Sequence, residues 1–296
     1  MCYDTEKGRE RMKNAEIHIR DPFVLTEGGR YYLYGTRGGN FGQKTGGFDV
    51  YTGTDLQNWS EPKTIFESAP FGMDRDVHWA PELHKYGGRY YLLATFTQEN
   101  GRRATYSLVS DRPDGPFAPV SGRPLTPAEW WSLDGTLFVD DGGAPWLVFC
   151  HEHVQILNGT VCAVRLTPDL GGPAGEPVLL FAGSDAYGVT ANDEGRYVTD
   201  GPFLHRGENG RLYMMWSTIV NGCYCQCLAV SESGKVTGPW RQLEPMFTAD
   251  GGHGMLFRTL DGQLTLTLHR PNHQPNERPQ FFAVTDDGST LRVVRE

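Results

Sequence analysis

Gly28-Gly29-Arg30-Tyr31-Tyr32-Leu33-Tyr34 and Gly87-Gly88-Arg89-Tyr90-Tyr91-Leu92-Leu93 are one phrase written twice, a glycine turn that runs into an aromatic strand. Looser copies follow at Gly142-Gly143-Ala144-Pro145-Trp146-Leu147-Val148, Asn209-Gly210-Arg211-Leu212-Tyr213-Met214-Met215 and Asp261-Gly262-Gln263-Leu264-Thr265-Leu266-Thr267. Their markers, Tyr32, Tyr91, Trp146, Tyr213 and Thr265, are separated by 59, 55, 67 and 52 residues. Repeats of that length, made of short strands and tight turns, predict a radial β architecture. Five copies predict an all-β, five-bladed β-propeller in a single domain. Eleven to thirteen residues before each marker stand Asp21, Trp79, Asp134, Asp200 and His253, each opening or preceding a short apolar strand. Innermost propeller strands face the axis, so these side chains are expected to converge there.

The composition agrees with this reading. The 296 residues suffice for a large core, and 12% aromatics with 37 Gly and 19 Pro suit many short strands joined by turns. Residues 1–16 read as a charged lead-in and 17–296 as the propeller. The stretch 171–198, rich in Gly, Pro and Asp, reads as a loop able to overhang the axis. A net charge of −9 argues against nucleic acid or an acidic membrane as partner, because phosphate binding needs clustered Lys and Arg. The adjacent pair Arg102-Arg103 reads as part of a solvated loop. No run approaches the ~18 apolar residues of a membrane span, and the first residues carry no apolar signal core. Cys223, Cys225 and Cys227 alternate along one expected strand and so share a face. Without a second Cys or His pair at zinc spacing, they read as a reduced packing face. These features predict a cytoplasmic protein.

Asp21, Asp134 and Asp200 each precede a turn-competent residue, in Arg20-Asp21-Pro22, Leu133-Asp134-Gly135 and Thr199-Asp200-Gly201. An Asp there can cap a turn by accepting backbone N–H groups. Three at matching blade positions point instead to chemistry, because like charges gathered at an axis are costly unless they are used. Inverting hydrolysis of a glycosidic bond needs a base to activate water and an acid to protonate the leaving oxygen, about 6.5–9.5 Å apart. A third carboxylate beside the acid raises its pKa and keeps it protonated.

Taken in order, five motifs resemble the successive blade motifs of glycoside hydrolase family 43. They are Ile19-Arg20-Asp21-Pro22-Phe23, Trp79-Ala80-Pro81-Glu82, Leu133-Asp134-Gly135-Thr136, Thr199-Asp200-Gly201-Pro202-Phe203 and Gly251-Gly252-His253-Gly254-Met255. The resemblance runs from Ile17 to Thr285. It implies an inverting five-bladed glycosidase acting on arabinose- or xylose-containing oligosaccharides, of the arabinofuranosidase or xylosidase type, with no organic cofactor. Residue by residue, it implies Asp21 as general base, Asp134 as the carboxylate that orients the acid and tunes its pKa, and Asp200 as the acid. It implies for His253 a place on the axis, touching water around a central calcium ion. The family's acid is normally Glu before Gly-Pro or Ala-Pro. Asp200 is one methylene shorter, which withdraws the carboxyl by about 1.5 Å. Either the blade moves inward or another group gives the proton, and Glu152 in Cys150-His151-Glu152-His153 is the alternative.

Around the carboxylates, Trp79 and Trp131 are expected to line a sugar pocket through their aromatic faces, although Trp79 reads equally as blade core. Phe71 is expected to wall the pocket and His151 to reach substrate. Arg20 orients the base or makes a surface pair. Two other readings stand beside the hydrolase. One is a catalytically inactive sugar-binding propeller, which release of free sugar would exclude. The other is a related propeller glycosidase or phosphorylase with a different sugar, and the Asn-Asp-Pro-Asn motif of the first and the axial Arg and Lys cluster of the second are both missing.

Overall fold

The computed structural model describes residues 11–38 and 45–294; Cys2 and most of the expected lead-in fall outside them. Five antiparallel sheets follow one another along the chain, each built from consecutive strands. Their innermost strands are Ile19–Glu27, His78–Tyr86, Ser132–Val139, Asp200–Arg206 and Gly252–Arg258. The repeated phrase supplies the second strands, Arg30–Arg37, Arg89–Thr97, Pro145–His151, Leu212–Val220 and Leu264–Arg270. Third strands follow at Gly47–Gly53, Arg103–Ser110, Thr160–Arg165, Cys223–Ser231 and Arg278–Asp286. Each innermost strand touches those of the blades before and after it, the last meeting the first. The five-bladed propeller expected from the repeat is the fold.

Local chemistry explains the hairpins. Gly28 and Gly29 have φ of 60° and 74°, and Gly87 and Gly88 have 54° and 82°. Two positive φ values in a two-residue loop make a type I′ turn, whose twist matches the strands it joins. Apolar layers then fill each gap between blades. Leu92, Phe96 and Phe48 pack between blades one and two, Leu93 and Phe149 between two and three, and Val148, Phe181 and Trp216 between three and four. Cys225 and Cys227 join the last of these layers, as their alternation predicts, and the described cysteines are free thiols.

The stretch 171–198 is not all loop. Val178–Ala182 is the outer strand of blade three, paired with Thr160–Arg165, because Val178-Leu179-Leu180-Phe181 is a short apolar run able to extend the sheet. The residues after it are pinned to the turn that follows Glu152, with Gly159 N donating to Tyr197 O at 2.9 Å and Ser184 N to Asn158 Oδ1 at 3.0 Å.

The ring closes through side chains. Trp59 is fully buried, stacks on Phe281 of blade five at 6.0 Å and donates Nε1–H to Asn14 Oδ1 at 2.7 Å. Arg20 of blade one reaches into the loop before the third strand of blade five. It donates to Glu277 Oε1 and Asn272 Oδ1, both at 2.8 Å. Arg20 therefore makes a buried pair rather than a surface one.

Candidate active site

All five innermost strands carry a register shift near their start. One residue in each turns left-handed there: Asp21 at φ 52°, Ala80 at 47°, Asp134 at 57°, Gly201 at 49° and His253 at 49°. These five occupy the same place in their blades. Trp79 and Asp200, expected at the place of Asp21, lie one residue earlier, level with Arg20, Leu133 and Gly252. Left-handed backbone is costly for a residue with a side chain and persists where surrounding structure over-determines it.

That structure is a relay between blades. The backbone N–H of each left-handed residue donates to a side chain that, in four cases, sits on the second strand of the preceding blade. Asp21 N donates to His269 Nδ1, Ala80 N to Thr36 Oγ1, Asp134 N to Thr95 Oγ1 and His253 N to Ser217 Oγ. The fifth of these second-strand positions holds Cys150, and Gly201 N donates instead to Asp134 Oδ2 at 3.2 Å. The next residue is Pro22, Pro81 or Pro202 in three blades, with no N–H to satisfy. In the other two it is Gly135 or Gly254, whose N–H groups donate to Thr105 Oγ1 and Gln226 Oε1.

The relay brings the three carboxylates together around one imidazole. His253 Nδ1 lies 3.1 Å from Asp21 Oδ1, 3.2 Å from Asp200 Oδ1 and 3.8 Å from Asp134 Oδ2. Two glycines make room for this. A Cβ on Gly201 would stand 2.6 Å from the His253 ring, and one on Gly252 would stand 2.6 Å from the ring of Tyr224. Tyr224 thereby reaches Asp200, donating its hydroxyl to Oδ2 at 2.6 Å, and Thr36 donates to Asp21 Oδ2 at 2.6 Å.

The charges sort themselves. Burial works against a protonated His253, but the charges of Asp21 and Asp134 and the hydrogen bond to Asp200 raise its pKa well above the ordinary value. Burial drives Asp134 well above the usual carboxylate range, with Asp200 and Asp21 adding to the rise and His253 opposing it. Burial also opposes the charge on Asp200, yet hydrogen bonds from Asp134, His253 and Tyr224 outweigh it and hold the group well below. The Asp134–Asp200 pair thus shares a proton that rests on Asp134. His269 is wholly buried and its pKa falls to about 4, through burial and the nearby Arg20. Its Nδ1 accepts the Asp21 N–H, so the proton sits on Nε2, facing Asn272 Oδ1.

A wall stands between blades two and three. The Arg103 guanidinium lies over the rings of Trp79 and Trp131, at 5.1 and 4.7 Å. Its Nε and Nη2 donate to the two oxygens of the buried Glu152 at 2.6 and 2.5 Å. His151 is stacked on Trp130 at 4.1 Å and shares a hydrogen bond with Gln155, so it braces the tryptophan loop. Phe71 stacks on Phe66 and lines a surface pocket with Met73, Arg75, Tyr106 and Val120, apart from the carboxylates.

Residues 15–285 match the family model of Glycosyl hydrolases family 43. The chain belongs to that family. A family 43 glycosidase cleaves glycosidic bonds. An endo-arabinase of Bacteroides thetaiotaomicron VPI-5482 is 38% identical, covers 95% of this chain and 99% of its own, and has a TM-score of 0.85. Xylosidase/arabinosidase 43A of Humicola insolens is 23% identical over 78% of this chain and 82% of its own. An extracellular endo-α-(1→5)-L-arabinanase of Bacillus subtilis is 22% identical over 80% of this chain and 72% of its own.

Among the described residues of this family 43 glycosidase, Asp134, Asp200 and His253 are the cluster close enough to hold an ion, their donor atoms lying within 4.8 Å of one another. Calcium takes about 6–8 oxygen ligands. Two carboxylates and an imidazole nitrogen already turned toward carboxylates do not fit a directly bound calcium ion. Arg103 and Tyr224 were not singled out by the repeat, because both sit on third strands, which carry no recurring phrase.

Proposed function

We propose that this family 43 glycosidase hydrolyses arabinose- or xylose-containing oligosaccharides with inversion, arabinose being favoured by the 38% identity to an endo-arabinase. The observation that carries the reading is the convergence of Asp21, Asp134 and Asp200 on His253. The oxygens of Asp21 and Asp200 that face it nevertheless lie closer together than the ~6.5–9.5 Å usual between base and acid in inversion. Asp21, oriented by Thr36, acts as base toward the attacking water. Asp134 keeps a proton because it is buried beside a second carboxylate. Asp200 is the most exposed of the three, and it passes that proton to the leaving oxygen across the hydrogen bond the pair shares. Glu152 is the weaker candidate, since both its oxygens are held by Arg103. The His253 imidazolium balances the negative charge that would otherwise drive the carboxylates apart.

Purified protein on aryl α-L-arabinofuranoside and β-D-xyloside, with proton NMR of the first-formed anomer, tests this. Release of the inverted anomer is expected; a retained anomer overturns the scheme. Because the imidazolium already supplies positive charge on the axis, EDTA is expected to leave kcat and Tm unchanged. A loss restored by calcium would put an ion there after all. We also place the enzyme in a reducing, cytoplasmic compartment, a reading supported by thiols that are free and mostly buried among apolar side chains. Detection in a secreted fraction would overturn it.

A further inference from the structure

The Arg103 guanidinium is more completely held than an ion pair requires. Two indole rings flank it, and its Nε and Nη2 are used by Glu152. Among the described residues no acceptor meets Nη1, and the side chain keeps 18% of its exposure. The parts come from two blades: Trp79 and Arg103 from blade two, Trp131 and Glu152 from blade three and the loop leading into it. They meet beside the axial relay: Thr95, paired with Trp79, accepts the Asp134 N–H, and Thr105, two residues along the strand from Arg103, accepts the Gly135 N–H. Asp200 and Arg103 are both near enough to shift the protonation of Glu152 and His153, which puts the guanidinium within electrostatic reach of the proton-donating pair. A buried ion pair is by itself a poor source of stability, and an apolar replacement often does as well. An immobilised guanidinium with one amino group left over matches one demand of a sugar, a charged donor for a hydroxyl.

We propose that Arg103 is a substrate-binding, specificity-determining residue, its Nη1 donating to a ring hydroxyl of the pentose next to the cleaved bond while the rings of Trp79 and Trp131 hold the guanidinium in place. This rests on the glycosidase reading of the axial carboxylates and adds the group that selects the sugar. Glu152 is then the positioning residue that fixes the fork.

The test compares wild type with R103K, which keeps the charge opposite Glu152 but loses the planar fork. Arabinobiose and xylobiose binding is followed by tryptophan fluorescence, and kcat and KM are measured on the preferred aryl glycoside and its mono-deoxy analogues. R103K is expected to raise Kd and lower kcat/KM by about 10–100-fold, the worth of one charged hydrogen bond. One deoxy analogue is expected to cost the wild type as much and R103K almost nothing further. Equal losses by R103K on every analogue, or unchanged binding, overturn the proposal and leave Arg103 a structural pair. If wild type hydrolyses nothing but R103K still loses sugar binding, the hydrolase reading fails and this one stands. If wild type neither binds nor cleaves, both fall. Should R103K not fold, E152Q releases the fork while keeping both tryptophans, and it is expected to weaken binding of the same hydroxyl; unchanged binding overturns the proposal.

Discussion

His269 is a residue whose burial is written into the pH behaviour of the fold. It is neutral because its pKa is depressed from 6.5 to about 4. As pH falls below 6.5 the unfolded chain takes up a proton there and the folded chain does not, so stability declines across that window and levels off near the folded value. The loss is at most about 3 kcal/mol. His269→Gln can still offer an acceptor to Asp21 N–H, so it should lower stability at pH 7 while flattening the decline toward pH 4.5. Parallel urea-unfolding profiles for the two proteins would show that another group carries the slope. The carboxylates make a second prediction at this scale. If Asp200 delivers the proton, Asp200→Ala should slow aryl glycosides with poor leaving groups by about 10²–10⁴-fold and activated ones far less. Asp21→Ala should slow both alike. Asp134→Asn removes the carboxyl on which the pair's proton rests and leaves Asp200 to hold one alone, so the alkaline limb of the pH–rate profile should move to lower pH. A leaving-group effect that appears in Glu152→Ala and not in Asp200→Ala would move the acid to blade three.

The innermost strand is the element that makes the site, through its left-handed residue and the relay that holds it. Thr95→Val keeps the shape of the side chain but leaves the Asp134 N–H without its acceptor. The expected cost is about 1–3 kcal/mol in stability, with kcat lowered because Asp134 is no longer fixed. Gly201→Ala is more severe, since its Cβ would meet the His253 ring at 2.6 Å in a backbone already left-handed. It should reduce kcat more than any deletion among the outer aromatics, and wild-type kinetics in that variant would discredit the packing described for His253. Much of this element was legible in the sequence: Asp21, Asp134 and His253 fall at the turn where counting back from the aromatic markers places them. Trp79 and Asp200 were counted one residue off. The hairpins of blades three to five hold one residue more between paired positions than those of blades one and two, and a tolerance of eleven to thirteen residues hides such a shift. Arg103 and Tyr224 were illegible for a different reason. Their roles depend on which neighbour a third strand faces across a blade gap, and no local pattern encodes that.

At the scale of the whole molecule, five sheets of consecutive strands form a closed ring only if the first and last blades are joined. Among the described residues no strand is exchanged to do it, and the blades are joined in part by the ion pair of Arg20 with Glu277, whose side chains are 11% and 1% exposed. The joint and the chemistry share a residue boundary, because Arg20 adjoins the proposed base and Asn272 links its guanidinium to His269. Closing the ring therefore also fixes where Asp21 points. Desolvating two charges makes such a pair a weak source of net stability, but breaking it leaves one charge buried and unpaired. Arg20→Met and Glu277→Met should each cost about 3–5 kcal/mol in urea unfolding, and the double variant should recover most of that loss. Recovered stability without recovered activity would separate the two duties, showing that an apolar joint can close the propeller while only the charged one aims the base. Additive losses in the double variant would instead mean that Arg20 and Glu277 act independently and that the aromatic contact between Trp59 and Phe281 carries the closure.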